Sequence, residues 1–272
     1  MSELKPSIPD GSWILVTGAT SFVASHIIKQ FLERGYKVRG TVRQASNASW
    51  VVDEAFKSYA NSGSFELISV PNFTTDHAFD AAIKGVCAIV HVATVSSLES
   101  NPNNVIPQTV ASTTSILHAA QHEPSVRQFV YTSSCAAAYF PNPDDKSHVE
   151  RDTWNEKAVQ LAWASPPHGP EKGFIVYSAS KVAAEKAVWK FVEEKEPRFS
   201  VNVVSPGTVL GEPLHKNYIR STCSWVTELY DGQLSKVPTL HASKSLNRAL
   251  SGNELLSPHP GDALMAFLTQ RL

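Results

Sequence analysis

Short uninterrupted apolar runs alternate along this chain with longer segments in which apolar residues recur every three or four positions. Residues 13–17, WILVT, are too apolar to face water on either side and predict a strand buried on both faces. Residues 21–34 follow with apolar positions at 22, 23, 27, 28, 31 and 32, which form one stripe of a helix. Residues 36–42 return to a strand pattern, completing one strand–helix–strand unit.

The alternation continues with a polar helical stretch at 46–60, a strand at 64–70, a helix near 76–84 and a strongly apolar strand at 86–92. A helix is predicted over 103–121 and a fifth strand over 126–132. Residues 140–171 are rich in Pro, Asp, His and Trp without a sustained period, the signature of a long surface excursion. A long helix over 172–194 and a strand over 199–205 complete the regular part, and from about Thr239 the apolar pattern fades. Strands alternating with helices of this length predict an α/β protein with a doubly wound parallel sheet.

With 272 residues, 42% of them hydrophobic and 18% charged, the chain can bury a full core in one main domain. Lys plus Arg number 24 against 25 Asp plus Glu, so no charged footprint for nucleic acid or an acidic membrane exists, and a small-molecule partner is expected. Three widely spaced cysteines, without a CxxC pair, fit a reducing compartment. No apolar run reaches membrane-spanning length and the N-terminus has no apolar leader, so a cytoplasmic protein is expected.

Chemistry enters where the first strand turns into the first helix. Gly18, Ala19, Thr20, Ser21, Phe22 and Val23 occupy this turn, where free backbone N–H groups and the helix dipole favour a pyrophosphate. A Rossmann-type domain is therefore expected, although Gly18 is the only one of the usual glycines present. NAD sites place a carboxylate at the end of the second strand. Here that strand carries Arg39 and Arg43 instead, and a guanidinium suits a 2′-phosphate by charge and fork geometry. NADPH is the expected cofactor, with Arg43 the principal determinant and Arg39 the lesser candidate.

Tyr177 and Lys181 stand at i and i+4 on one face of the long helix, and the fifth strand runs into Ser133 and Ser134 at the sheet edge where ligands of open α/β folds bind. Hydride delivery to a carbonyl leaves charge developing on oxygen, which needs a positioned proton donor. The set supplies one: Tyr177 as general acid, Lys181 to lower its pKa and hold the nicotinamide ribose, and Ser134 to hydrogen-bond the substrate oxygen. His118 and His122 have helical spacing suited to a metal but lack a companion glutamate or a third ligand, so no metal is expected. Cys135 reads as a small packed residue, not a nucleophile.

As an ordered set, these segments resemble the extended short-chain dehydrogenase/reductases. The resemblance is strongest to NADPH-dependent aldehyde/ketone reductases of the dihydroflavonol reductase and methylglyoxal reductase type. It is carried by ILVTGAT at 14–20, YKVRGTVR at 36–43, IVHVA at 89–93, VYTSS at 130–134, YSASK at 177–181 and VSPG at 204–207. It implies that Asn72 and Phe73 flank the adenine, Ala93 and Thr94 the ribose, and Pro206 and Val209 the nicotinamide, with Thr222 a further contact. It also implies reduction of a small-molecule aldehyde or ketone, and a monomer or homodimer is expected.

The chain departs from the family at Ser21, which replaces a second glycine, at Ala111-Ser112, where relatives often carry Asn-Gly, and at Asn72, which replaces a carboxylate. Beyond Val237 no family pattern is recognisable. The expected division is a Rossmann domain with the catalytic set over 1–210 and a small, incomplete substrate lobe with an atypical tail over 211–272. Two rival readings share the fold: an NAD-retaining sugar-nucleotide epimerase or dehydratase, against which the arginines speak, and a catalytically impaired NADP-binding relic.

Overall fold

A computed structural model describes residues 8–95, 97–140, 149–150, 152–219, 221–232 and 268–271. Six parallel strands form its centre: β1 (Trp13–Thr17), β2 (Lys37–Val42), β3 (Phe65–Ser69), β4 (Val86–His91), β5 (Gln128–Thr132) and β6 (Ser200–Pro206). A short β7 (Leu268–Arg271), not anticipated from the sequence, runs antiparallel to β6. The spatial order is β3-β2-β1-β4-β5-β6-β7, so the order reverses between β1 and β4. That reversal opens a crevice at the carboxyl ends of the two strands, the general ligand site of doubly wound sheets.

Both sheet faces are covered, which explains the nearly continuous apolar runs of the central strands β1 and β4. Ile14 and Val16 of β1 pack with Val38, Ala88 and Val90 under Ala24, Ile28 and Leu32 of α1 (Phe22–Glu33). Leu15 points the other way, joining Ile89, Phe129 and Val203. That side is closed by α3 (Pro102–His122) through Ile116 and Leu117, and by α5 (Lys172–Lys195) through Ala184, Val188 and Phe191.

Local chemistry sets the boundaries. Ser21 is the N-cap of α1, its Oγ accepting from Ala24 N at 3.3 Å, and Gly35 just beyond the helix takes the positive φ that lets the chain turn. Asn101 caps α3, with Pro102 at the first helical position.

Two expected helices differ. The stretch at 46–60 is three short pieces: a 3-10 turn (Ala45–Ala48), a wide turn (Val51–Ala55) and α2 (Lys57–Asn61). Ala48, Val51 and Phe56 all reach the core, and the five-residue step from Val51 to Phe56 is met by a Phe56 N–H bond to the Val51 carbonyl at 2.9 Å. Residues 76–84 form consecutive turns. Phe79, Ala82 and Ile83 are buried at helical spacing, but His77 has φ +62, which interrupts any regular helix.

The excursion at 140–171 contains a helix of its own, α4 (Glu156–Ala162), capped by Asn155 Oδ1 and packed through Ala158 and Ala162 on Val105 of α3 and Val176 and Ala179 of α5. The buried Lys172 donates to the carbonyls of Leu161 and Ala162, both at 2.7 Å, and fixes the end of α4 against the start of α5. A further helix, α6, spans Thr222–Tyr230. Most of the tail beyond it lies outside the described residues, as does the expectation of an incomplete lobe.

Candidate active site

The crevice is built first by Thr17. Its buried hydroxyl accepts from the N–H groups of Val92 and Ala93, both at 2.9 Å, and lies 3.0 Å from His91 Nδ1. With both acceptor positions taken, the hydroxyl proton must go to Nδ1, which assigns the remaining ring proton to Nε2. Burial, with a smaller push from Lys181, holds the His91 pKa at about 3, so this imidazole is neutral at ordinary pH. The three bonds staple the end of β1 to the end of β4.

Gly18 follows at φ +74, and a Cβ placed there would lie 3.3 Å from Ala93 Cα. Backbone conformation and close approach both demand glycine. Ala19 is anchored by its N–H on the Thr41 carbonyl and by its carbonyl, which accepts from the buried Tyr218 phenol at 3.2 Å. Ser21 spends its hydroxyl on Ala24 N, which leaves Phe22 and Val23 with helix N–H groups that the helix itself does not satisfy. The departure from glycine at 21 is therefore a helix cap.

The two arginines separate cleanly. Arg39 lies over the Trp13 ring, ion-pairs with Glu66 at 2.5 Å, and donates to the carbonyls of Ala82 and Lys84. Arg43 is exposed at the end of β2 with no ion-pair partner among the described residues. Asn72 uses Oδ1 to accept from the Thr74 N–H and hydroxyl, while Phe73 stacks on Phe79. The Thr94 hydroxyl beside Ala93 is buried without a partner among the described residues. Pro206 ends β6, and the Thr222 hydroxyl donates to the Val209 carbonyl at 2.6 Å, bracing that loop.

At the adjoining edge, Ser134 opens a short 3-10 turn (Cys135–Ala137), its Oγ accepting from Ala136 N at 3.2 Å, and lies beside the Tyr177 phenol. Burial raises the Tyr177 pKa, and the neighbouring Ser134 hydroxyl only partly opposes it. Lys181 is not among the groups that set it, which differs from the expectation that the lysine depresses the phenol. Lys181 is itself buried, donates to the Thr132 carbonyl at 3.1 Å, and lies 5.5 Å from the Tyr131 ring centre and 5.9 Å from that of Tyr177. Desolvation lowers its pKa from 10.5 to about 8, with Glu185 holding it up. It is an ammonium at neutral pH.

Burial raises the Cys135 pKa, so that thiol is not activated. His122 Nδ1 pairs with the His118 carbonyl at 2.8 Å, and the His118 ring packs on Phe191. Thr17, His91, Glu185 and Tyr218 escaped the reading of the sequence. The i, i+4 step from Lys181 to Glu185 was its only local signal for any of them.

The model of the NAD dependent epimerase/dehydratase family matches residues 14–246. The chain belongs to this family. Among family relatives, an NAD-dependent epimerase/dehydratase of Aspergillus terreus is 40% identical over 82% of this chain and 65% of its own length. Aldehyde reductase 2 of Sporidiobolus salmonicolor is 37% identical over 84% of this chain and 66% of its own. The crystal structure of the yeast methylglyoxal/isovaleraldehyde reductase complexed with NADPH superimposes with a TM-score of 0.66 at 25% identity, over 80% of this chain and 65% of that one. The chain thus spans about two thirds of the length of these family relatives. Among the described residues no helix is long and apolar enough to cross a membrane.

Proposed function

We propose that the protein reduces an aldehyde or ketone with NADPH, using Ser134, Tyr177 and Lys181. The observation that carries this reading is the cluster of half-buried Ser134 and Tyr177 with buried Lys181, at the same sheet edge as the Gly18–Ala93 crevice. Aldehyde reductase 2 and the NADPH-complexed reductase named above support the reaction class.

The crevice suits a dinucleotide. Gly18 leaves a cradle that a Cβ would fill, the first N–H groups of α1 are available to a pyrophosphate, and the buried Thr94 hydroxyl has no partner among the described residues. Gly18 through Val23 would hold the pyrophosphate and Ala93 and Thr94 the ribose. Asn72 and Phe73 would flank the adenine, and Pro206 and Val209 the nicotinamide, with Thr222 acting through Val209. Arg43, exposed and without an ion-pair partner among the described residues, would take the 2′-phosphate. When bound, NADPH would supply the hydride that reduces the carbonyl carbon.

The chain's own residues supply the proton and the charge balance. Ser134 donates to the substrate oxygen and orients it. Tyr177, kept protonated by burial, passes its phenolic proton to that oxygen as negative charge develops there. The Lys181 ammonium faces the phenolate that remains. Tyr177→Phe keeps the ring and removes the proton, so NADPH oxidation with a panel of aldehydes and ketones should vanish while NADPH binding, read by fluorescence titration, persists. Retained turnover would overturn the mechanism.

A further inference from the structure

Tyr177, Lys181 and Glu185 follow at four-residue steps on α5 and so share one face. Glu185 is 0% exposed, and its Oε2 accepts from Ser133 Oγ at 2.5 Å. An ionised carboxylate is costly in such a place unless a cation balances it. Lys181, one turn earlier and 2% exposed, is a buried cation on which Glu185 acts electrostatically.

The other groups around the ammonium supply no counter-charge. From α5 comes the Tyr177 phenol, and from β5 the Tyr131 ring and the Thr132 carbonyl. From β4 comes His91, which is neutral. The Cys135 thiol beyond Tyr177 is held protonated by burial. Glu185 is therefore the only acid facing Lys181 among the described residues named here.

We infer that Glu185 is a positioning residue that keeps Lys181 an ammonium beneath Tyr177 while tying the Ser133–Ser134 edge to α5. Its catalytic meaning rests on the proposed roles of Tyr177 and Lys181. The pairing itself does not, because it is an equilibrium property of the folded chain.

The test reads stability against pH by thermal unfolding, with and without NADPH, beside the pH profile of carbonyl reduction. In the wild type, Lys181 titrates near 8 when folded and near 10.5 when unfolded, so between those values the unfolded state binds more protons and stability rises with pH. Glu185→Gln keeps the volume and an acceptor for Ser133 but removes the charge. The rise should then begin at least about one pH unit lower, and the alkaline limb of kcat/KM should move down with it, a tenfold change in the Lys181 proton equilibrium. Lys181→Met should abolish the rise. Ser133→Ala, which removes the tether and leaves the charge, should lower the melting temperature without moving either profile. If E185Q does not fold, Glu185→Asp, with its carboxylate drawn back by one methylene, should produce a smaller shift in the same direction. A stability rise that shifts as expected in a protein without turnover would uphold the pair and defeat only the catalytic reading. Profiles that stay in place in the folded variant would overturn the inference.

Discussion

Thr17→Val removes one hydroxyl and almost no volume, yet the structure makes that hydroxyl the shared partner of three groups. The N–H groups of Val92 and Ala93 at 2.9 Å and His91 Nδ1 at 3.0 Å would all lose it. An unsatisfied buried polar group costs about 1–3 kcal/mol. Val92 and Ala93 are only half-buried and regain some hydration, so about 1 kcal/mol each is appropriate, while the fully buried His91 should stand near the middle of the range. The sum is about 3–4 kcal/mol, a large part of the roughly 5–15 kcal/mol that keeps a domain folded. At about 2–4 °C per kcal/mol for a chain of this size, thermal unfolding followed by circular dichroism should fall by roughly 6–16 °C. Thr17→Ser, which keeps the hydroxyl, should lose much less. A valine variant melting within about 2 °C of wild type would refute the staple.

Three further outcomes follow from the same geometry. Arg43→Glu should reverse the preference for NADPH over NADH in paired binding titrations, whereas Arg39→Glu, which breaks the contacts to Trp13 and Glu66, should chiefly lower the melting temperature. The rate of carbonyl reduction should fall as pH rises through about 8, where Lys181 loses its proton, and a rate still flat at pH 9.5 would contradict the role given to that ammonium. Tyr218→Phe removes the donor to the Ala19 carbonyl and should cost about 0.5–1.5 kcal/mol of stability while weakening NADPH several-fold. Unchanged affinity would separate Tyr218 from the cofactor loop.

The central strands were legible because both their sides are buried and they read as nearly unbroken apolar runs, WILVT in β1 and VCAIVH in β4, while the outer strands β2, β3 and β6 were marked by β-branched and apolar residues interrupted by polar ones. The glycine turn and the Tyr177–Lys181 pair were legible because their partners lie within one helical turn or at a strand end. The helix expected near 76–84 failed for the converse reason. Phe79, Ala82 and Ile83 have helical spacing, but turns satisfy the same burial, and periodicity cannot separate the two.

The residues that brace the site were hidden by distance along the chain. Thr17 meets His91 across 74 positions, Ser133 meets Glu185 across 52, and Tyr218 meets Ala19 across 199. No local pattern encodes such contacts. Arg39 and Arg43 looked alike in sequence, and only the fold shows that Arg39 is already spent on Glu66 and two carbonyls.

The central claim is that one crevice holds NADPH beside a working proton donor. It is met most directly by following NADPH fluorescence and absorbance as the purified chain is titrated with the cofactor and then given aromatic and aliphatic aldehydes and ketones. Saturable binding, tighter for NADPH than for NADH, followed by oxidation that depends on the carbonyl compound, is the predicted result. Absence of saturable binding, or equal binding of both cofactors with no carbonyl-dependent oxidation across the panel, would contradict the account.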